Sequence, residues 1–217
     1  MTHPTWPLSD LRLATEGGVA LRPMAEVDLA TIADLLPDDL ELDPATITYP
    51  GLDTATGRRV ALHQAYWRGW GCWSVASWAL TFVVEVDGRI VGTQTLEGED
   101  FPMLRTVDSA SWLVAEARGR GLGKTMRSAV LALAFGPLEA QCAITSAWRD
   151  NDASLGVSRA LGYQPNGQSR HRRDDGVGGG VGVMTHLRLT REDWLASGVG
   201  DSVQISGFQA CRRYFGV

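Results

Sequence analysis

The residues with the clearest chemical potential form a glycine-rich run, Arg118-Gly119-Arg120-Gly121-Leu122-Gly123-Lys124, called here the glycine loop. It stands between a predicted strand and a predicted helix. The first N–H groups of a helix lack intrahelical acceptors, and the helix dipole adds partial positive charge there. Glycine permits positive φ and lets a ligand approach the backbone without a Cβ clash. With three cationic side chains around the same point, the glycine loop predicts a main-chain pyrophosphate site.

Two common phosphate motifs do not fit this loop. The P-loop pattern requires a glycine six residues before its lysine, and Arg118 occupies that position. The dinucleotide fingerprint requires a third glycine at position 124 or 126, where Lys124 and Met126 stand. A protein that binds ATP or NAD through this loop is kept as an alternative that binding measurements would separate.

The glycine loop resembles the Arg-x-x-Gly-x-Gly acyl-CoA signature of the GNAT acetyltransferases, through Arg118, Gly121 and Gly123. Further along, Asn151-x-x-Ser154-x-x-Val157-x-x-Ala160-Leu161-Gly162-Tyr163 resembles the family's next helix, which opens with Asn and closes with Leu-Gly-Phe/Tyr. The resemblance covers residues 19–190 and is closest to the RimJ/RimL-like branch. It implies an α/β (α+β) GNAT fold, a mixed, mostly antiparallel central sheet flanked by helices on both faces, in which the family's strands four and five are splayed.

The resemblance also implies an N-acetyltransferase that uses acetyl-CoA (CoA) as its donor. The backbone from Trp112 to Val114 is then expected to lie against the pantetheine arm, with the Val114 N–H near the thioester oxygen. Asn151 either binds the pantetheine arm or only caps its helix. The predicted cofactor contacts are Trp112, Leu113, Val114, Arg118, Gly119, Arg120, Gly121, Leu122, Gly123, Lys124 and Asn151.

Two positions correspond to catalytic groups of the family. An attacking amine must lose a proton, since a free alkylammonium has a pKa of about 10. The family's glutamate ten residues before the loop arginine corresponds to Asp108, which is either a base acting through water or a solvated strand residue. The tyrosine that serves the family as general acid corresponds to Ser158. Either Ser158 assists the leaving thiolate, or no dedicated acid exists and the thiolate leaves unassisted. Tyr163 is predicted to pack in the core.

The acceptor is predicted to be a primary amine of a small molecule or of a peptide N-terminus. The long segment 37–77 favours a small molecule, because it suggests a tailored pocket. Its tryptophans, together with Trp78, either line an acceptor groove or belong to the core, and the core is favoured: Trp67, Trp70, Trp73 and Trp78. Acidic residues either attract a cationic acceptor or are simply solvated: Asp38, Asp39, Glu41, Glu97, Glu99 and Asp100. The competing hypothesis is a non-catalytic CoA-binding sensor or scaffold, motivated by the absent tyrosine and the short Asp108.

Periodicity and turn chemistry predict the elements that position these residues. Predicted strands cover 19–24, 79–86, 89–96, 106–114, 141–147, 163–170 and 181–189. Predicted helices cover 29–36, with Asp28 as its cap, 58–77, 125–135 and 151–161. A glycine-rich turn is predicted at 176–180. The acyltransferase domain is expected to span 19–195, with a leader at 1–18 and a C-terminal extension at 196–217 whose aromatic residues are a candidate homodimer contact.

Composition narrows the function classes further. The formal net charge of −5 argues against a nucleic-acid binder, whose footprint would be basic. No apolar run approaches the roughly 18 residues of a membrane span. The three cysteines are far apart and odd in number, and the four histidines show no metal-ligand spacing. The chain is therefore predicted to be a cytoplasmic protein without a metal site or a membrane segment.

Overall fold

One nine-stranded sheet forms the centre of the molecule in the computed structural model, which describes residues 5–40, 46, 49–173 and 179–217. The strands are β1 (Arg12–Thr15), β2 (Val19–Pro23), β3 (Trp78–Val86), β4 (Arg89–Gly98), β5 (Thr106–Leu113), β6 (Cys142–Trp148), β7 (Gln164–Arg173), β8 (Gly180–Thr190) and β9 (Val203–Ser206). The helices are α1 (Leu29–Asp34), α2 (Thr54–Gly71), α3 (Phe101–Leu104), α4 (Leu122–Phe135), α5 (Asp152–Ala160), α6 (Arg191–Ser197) and α7 (Phe208–Cys211). The predicted turn at 176–180 lies mostly outside the described residues.

The sheet is mixed and mostly antiparallel, which confirms the predicted fold class. Its strand order is β7-β8-β6-β5-β4-β3-β2-β1-β9, and β5 with β6 is the one parallel pair among the described strands. Local chemistry explains the antiparallel neighbours. Asp87 and Gly88 have φ values of 50° and 73°, the left-handed backbone of a tight hairpin turn, and they join β3 to β4.

The parallel pair separates early, as the resemblance implied for the family's strands four and five. Pairing between β5 and β6 is limited to three steps and ends at Asp108 opposite Ile144. On its other side, β5 stays paired with β4 as far as Leu113 opposite Gly92. The second half of β5 therefore has a backbone edge without a strand partner. We call the opening between the diverging strands the β5–β6 gap.

Helices cover both faces of the sheet. Helix α4 is almost wholly buried and, with α5, covers the face that carries Ser111 and Thr145. Helices α1 and α2 lie on the opposite face, around a small cluster that includes Met24, Ile32 and Val83. Within the described residues no helix combines the length and apolar character needed to cross a bilayer.

Asp28 does not cap α1 through its side chain, contrary to the prediction. Its carboxylate instead accepts two hydrogen bonds from the Arg22 guanidinium, at 2.7 and 2.8 Å, and a third from the Ala25 N–H. The side chain is buried, and a buried carboxylate requires such charged and hydrogen-bonding partners. Asp28, predicted as a helix cap, instead connects the start of α1 to β2 through its ion pair with Arg22.

Segments near both ends of the chain join the central sheet. Strand β1 pairs with β2, and β9 pairs with β1 at the edge. Leu8, Leu11 and Leu13 are fully buried in the main core. These segments therefore share one sheet and one core with residues 19–195.

An aromatic cluster fastens the two ends together. Trp73 stacks on Trp70 and Trp78, and Trp6 meets the edges of Trp70 and Trp73. From the C-terminal segment, Phe215 packs edge-on against Trp73 and Trp78, with centroids 5.3 and 4.9 Å away. Of the predicted tryptophan stripe, Trp78 is thus core, Trp70 and Trp73 pack partly buried against the core, and Trp67 is 54% exposed.

We expect Phe215→Ala to lower the free energy of unfolding by about 3–5 kcal/mol, the usual cost of removing a fully buried phenylalanine. Urea unfolding followed by tryptophan fluorescence would measure the change. Trp67→Ala is the exposed aromatic control and should cost less than about 1 kcal/mol. Equal losses in both variants would show that the C-terminal segment does not stabilise the fold.

Candidate active site

The glycine loop presents five consecutive backbone donors at the start of α4. In the part of the chain that the structure describes, the N–H groups of residues 119–123 have no protein acceptor. Gly119 and Gly121 have φ values of 72° and 79°, and a Cβ at either would meet open space. These two glycines are needed for backbone conformation rather than for packing. The resulting turn directs amides to solvent at a helix N-terminus, as an anion site requires.

Gly123 has a different role from the other two glycines. Its φ is not positive, and a Cβ there would lie 3.2 Å from Cγ2 of Val157 on α5. The absence of a side chain at Gly123 therefore allows α4 and α5 to pack closely at their crossing. The common motif thus combines two backbone requirements with one packing requirement, which sequence alone does not distinguish.

Arg118 is held by two contacts at the entrance to the loop. Its Nε donates to the Leu113 carbonyl at 2.9 Å, and its two terminal nitrogens donate to the Asp39 carboxylate at 2.5 and 2.8 Å. These hydrogen bonds raise the pKa of Arg118 and lower that of Asp39. Asp39, one of the acidic residues that could attract a cationic acceptor, therefore touches the glycine loop. Glu41, another of them, lies outside the described residues.

The β5 edge differs in one detail from the predicted cofactor contacts. The Val114 N–H donates to the Val91 carbonyl of the β4 side at 2.9 Å, so it is engaged within the sheet. Backbone groups alternate in direction along an antiparallel strand. Trp112, like Val114, therefore directs its N–H and C=O towards β4, whereas Ser111 and Leu113 direct theirs towards the β5–β6 gap. The prediction of Val114 as the amide facing a thioester disagrees with this register.

A groove of about 350 Å³ lies on the other side of β5, beneath α2. Its floor includes Ala110, Ser111 and Trp112, so it adjoins the same stretch of β5 that borders the gap. Hydroxyl groups line the sheet side at Thr81, Thr93 and Thr95. The charged side chains among its described lining residues are Arg58 and Arg68. We call this cavity the α2 groove.

Asp108 lies at the point where β5 and β6 separate. It is half-buried on the sheet face that carries α2, two residues from Ala110 in the groove floor. Its Oδ1 accepts the Ser109 N–H at 2.6 Å. Glu97 is its direct neighbour across the β4–β5 ladder. Two carboxylates therefore stand side by side near the groove, and sequence analysis singled out one of them as a base.

The two predicted residues of α5 are both engaged within the protein. Asn151 caps the helix through Oδ1, which accepts the Ser154 N–H at 3.0 Å. Ser158 is 1% exposed and donates its hydroxyl proton to the Ser154 carbonyl at 3.1 Å. A hydroxyl has one proton to donate. Ser158 therefore acts here as a hydrogen-bond acceptor, for a neighbour that the sequence analysis did not identify.

That neighbour is Arg127 on α4, a buried cation beneath the β5–β6 gap. Its guanidinium donates to Ser111, Thr145 and Ser158 at 3.2–3.4 Å. Nothing in the local sequence marks it, because an arginine in the early turns of a helix, close to Thr125 and Ser128, is ordinarily a solvated residue. Burial lowers the pKa of Arg127.

Sequence analysis also missed a hydrogen-bonded chain on the outer strands. Ser146 and Ser169 bond the two ring nitrogens of His186, each at 2.7 Å, and Ser169 also bonds His171 at 2.6 Å. The register places His186 on the same sheet face as Asp108. The histidines share no sequence motif, and within the described residues no group of His, Cys, Asp and Glu could hold a metal ion.

A splayed parallel pair beside an amide-lined helix start, within a mixed sheet covered on both faces, is the architecture of an N-acyltransferase domain. The family model described as "Acetyltransferase (GNAT) domain" matches residues 19–164. The chain belongs to the GNAT acetyltransferase family, which confirms the resemblance drawn from its motifs.

Solved structures similar to this chain include three acetyltransferases. RimJ from Mycobacterium smegmatis, in complex with CoA-disulfide, is 19% identical with a TM-score of 0.65, over 91% of this chain and 98% of that one. RimL, a ribosomal L7/L12 alpha-N-protein acetyltransferase in complex with coenzyme A, is 13% identical with a TM-score of 0.63, over 82% and 97%. Spermidine N-acetyltransferase from Vibrio cholerae, with CoA and spermine, is 15% identical with a TM-score of 0.61, over 82% and 98%. RimJ and RimL therefore share the fold of this chain.

Tyr163 provides a test of the buried site. Its hydroxyl is buried near Arg127 and Ser109 but makes no hydrogen bond of acceptable geometry with either, and burial raises its pKa to about 12. We expect Tyr163→Phe to leave the free energy of unfolding unchanged or to raise it by up to about 1 kcal/mol, because an unsatisfied buried hydroxyl is removed. Thermal or urea unfolding would measure it.

Tyr214→Phe is the matched comparison, because the Tyr214 hydroxyl donates to the Thr5 carbonyl at 2.8 Å. It should lower the free energy of unfolding by about 0.5–1 kcal/mol. A larger loss in Tyr163→Phe than in Tyr214→Phe would contradict the unsatisfied state of the Tyr163 hydroxyl.

Proposed function

We propose that this protein transfers an acetyl group from acetyl-CoA to a primary amine by direct attack within a ternary complex. One observation carries the proposal: in the described part of the chain, five consecutive amides without protein acceptors open beside a strand edge that has no strand partner. A pyrophosphate requires several oriented donors at one point, and an extended amide-containing arm requires an unpaired strand edge. Family membership and the site geometry support the same ligand.

The chain's own residues would hold acetyl-CoA in two places. The amides of residues 119–123 would bind the pyrophosphate, with Arg120 and Lys124 adding exposed positive charge nearby. The backbone N–H and C=O of Ser111 would pair with the pantetheine amides across the gap, whereas the Leu113 carbonyl already accepts from Arg118. When bound, acetyl-CoA supplies an acyl group activated as a thioester.

The amide proposed to face the thioester oxygen is that of Leu113 rather than that of Val114. The Leu113 N–H points away from β4, whereas the Val114 N–H is bonded to Val91. A fixed donor aimed at an oxygen that gains negative charge contributes about 3 kcal/mol in comparable sites. Because the donor belongs to the main chain, the identity of the side chain at this position matters less than the register of β5.

The α2 groove is the proposed acceptor site, because its floor is the same part of β5. Its volume suits a small molecule or the first residues of a peptide. Arg58 and Arg68 have no ion-pair partner in the described part of the chain. The positive charges of Arg58 and Arg68 in the α2 groove disfavour a polyamine acceptor. They favour an amine that also carries an anionic or hydroxyl group.

Asp108 is the proposed base. It lies beside the groove floor and at the mouth of the gap, between the two proposed ligands. An aspartate that is too short to reach the amine directly can accept its proton through one water molecule. Glu97, its cross-strand neighbour, shares the same sheet face.

The function would be tested by binding and by turnover. Acetyl-CoA should raise the melting temperature, while ATP and NAD at equal concentration should not. A panel of primary amines with and without a carboxylate should then release free thiol from acetyl-CoA. Stabilisation by ATP or NAD alone would overturn the assignment. Stabilisation by acetyl-CoA without thiol release from any amine would favour the sensor or scaffold.

Gly121→Asp should weaken CoA binding at least about tenfold, because Asp disturbs a positive-φ turn and places a carboxylate beside the pyrophosphate. Isothermal titration calorimetry with CoA would measure the dissociation constant. Gly18→Asp is the matched control, since Gly18 has a φ of 75°, open space around its Cβ and a position in the β1–β2 turn. CoA affinity lowered equally by both changes, or by neither, would count against the loop site.

Asp108→Asn should lower kcat about 100-fold or more, with little change in CoA affinity, if its carboxylate removes the proton. The loss should also flatten the acid limb of the kcat/KM profile. Glu97→Gln is the neighbouring control and should change kcat much less. A larger loss with Glu97→Gln would move the role of base to β4, and normal turnover of Asp108→Asn at every pH would remove Asp108 from it.

A further inference from the structure

The guanidinium of Arg127 is buried without a counter-ion in contact. It is 3% exposed, and in the described part of the chain no carboxylate lies within 4.0 Å of it. Removing a cation from water costs several kcal/mol unless a close anion compensates. A fold retains such a group when something else balances its charge.

The groups around Arg127 are neutral and incompletely bonded. Its three hydrogen bonds are long for a charged donor, at 3.2, 3.2 and 3.4 Å, where charge-assisted bonds are usually about 2.7–2.9 Å. Among the described residues, the Nε of Arg127 has no acceptor, and the nearby hydroxyls of Ser109 and Tyr163 have no hydrogen-bond partner. The titratable groups that influence Arg127 are Tyr163 beside it and Asp108, whose charge acts on it without an ion-pair contact. The cluster therefore has spare donors and a positive charge that no carboxylate touches.

The position of this cluster identifies the anion it would suit. Its hydroxyl partners come from three elements around the β5–β6 gap: Ser111 from β5, Thr145 from β6 and Ser158 from α5. Ser111 also contributes to the lining of the α2 groove, so the cluster and the groove lie on the two sides of the same stretch of β5. Ser158 occupies the position at which the family's tyrosine would serve the leaving sulfur.

We propose that Arg127 contacts the sulfur of CoA and stabilises it as a thiolate, an inference that rests on the proposed transferase function. In the reaction the amine nitrogen bonds to the acetyl carbon, the carbon–sulfur bond breaks, and sulfur keeps the electron pair. The amine's proton goes to the carboxylate side of the site, directly or through water. The thiolate is held by the guanidinium and takes a proton from water afterwards, so no acidic side chain is required.

This assignment explains the missing acid better than Ser158 alone. The Ser158 proton is committed to the Ser154 carbonyl, whereas Arg127 has an unused N–H. A guanidinium also starts from so high a pKa that Arg127 can keep its charge although burial lowers its pKa. A cation close to a thiol lowers the thiol pKa by roughly 1–3 units.

The test measures the pKa of the bound CoA thiol by ultraviolet thiolate absorbance, with desulfo-CoA as the blank. In the wild-type complex the thiol should ionise at least about one pH unit below free CoA, a tenfold gain in thiolate. Arg127→Met should abolish that shift and should fold at least as stably as the wild type, because it removes a buried unpaired charge. Arg127→Gln, which keeps hydrogen bonds without charge, is the second variant.

Arg120→Met is the contrast, because it removes a cation at the glycine loop. It should weaken CoA binding while leaving the thiol pKa of the bound fraction shifted. An equal thiol pKa in the wild type and in both Arg127 variants, with CoA bound as calorimetry reports, would overturn the role of Arg127 and leave the transferase intact. Absence of CoA binding by the wild type would overturn both proposals together.

Discussion

The early separation of β5 from β6 is the constraint on which the rest of the site depends. Parallel pairing ends at Asp108 and Ile144, while β5 continues along β4 for another five residues. That mismatch leaves a strand edge unpaired in the middle of a nine-stranded sheet, where an unpaired backbone is normally costly. The edge ends at Leu113, shortly before the glycine loop, so an edge without a strand partner and a run of amides without acceptors lie in sequence along the described part of the chain.

The groups proposed to recognise the ligand are main-chain amides in one part of the site and side chains in another. At the glycine loop and along β5, the recognition groups are amides, whose direction is set by φ at Gly119 and Gly121 and by strand register. At the inner end of the gap they are side chains, with Arg127 as the charged member. A rigid helix start and a rigid sheet can place amides accurately, whereas a buried cation also needs a closed environment to act strongly at short range.

The aromatic cluster explains why a domain of this family can support such a site at one edge of its core. Trp6 and Phe215 come from opposite ends of the chain and pack on the tryptophans that follow α2. The two end segments thereby add β1 and β9 to the sheet, at the edge opposite β7 and β8. Helix α2 is only weakly amphipathic. Its position above the groove therefore depends on this packing at its C-terminal end.

The sequence by itself determined the features that depend on neighbours along the chain. The glycine loop, the helix that follows it, the β3–β4 hairpin and the order of elements from 19 to 190 all follow from φ requirements, periodicity and turn residues, and with the second motif they identified the family. Tertiary structure decided what depends on residues far apart in sequence. It paired Asp28 with Arg22 and Asp39 with Arg118, and it placed segments near both ends of the chain in one sheet. It also decided which amides of β5 face the gap and that Arg127 is buried there, because register and burial are set by pairing and packing across the fold, which no local pattern encodes.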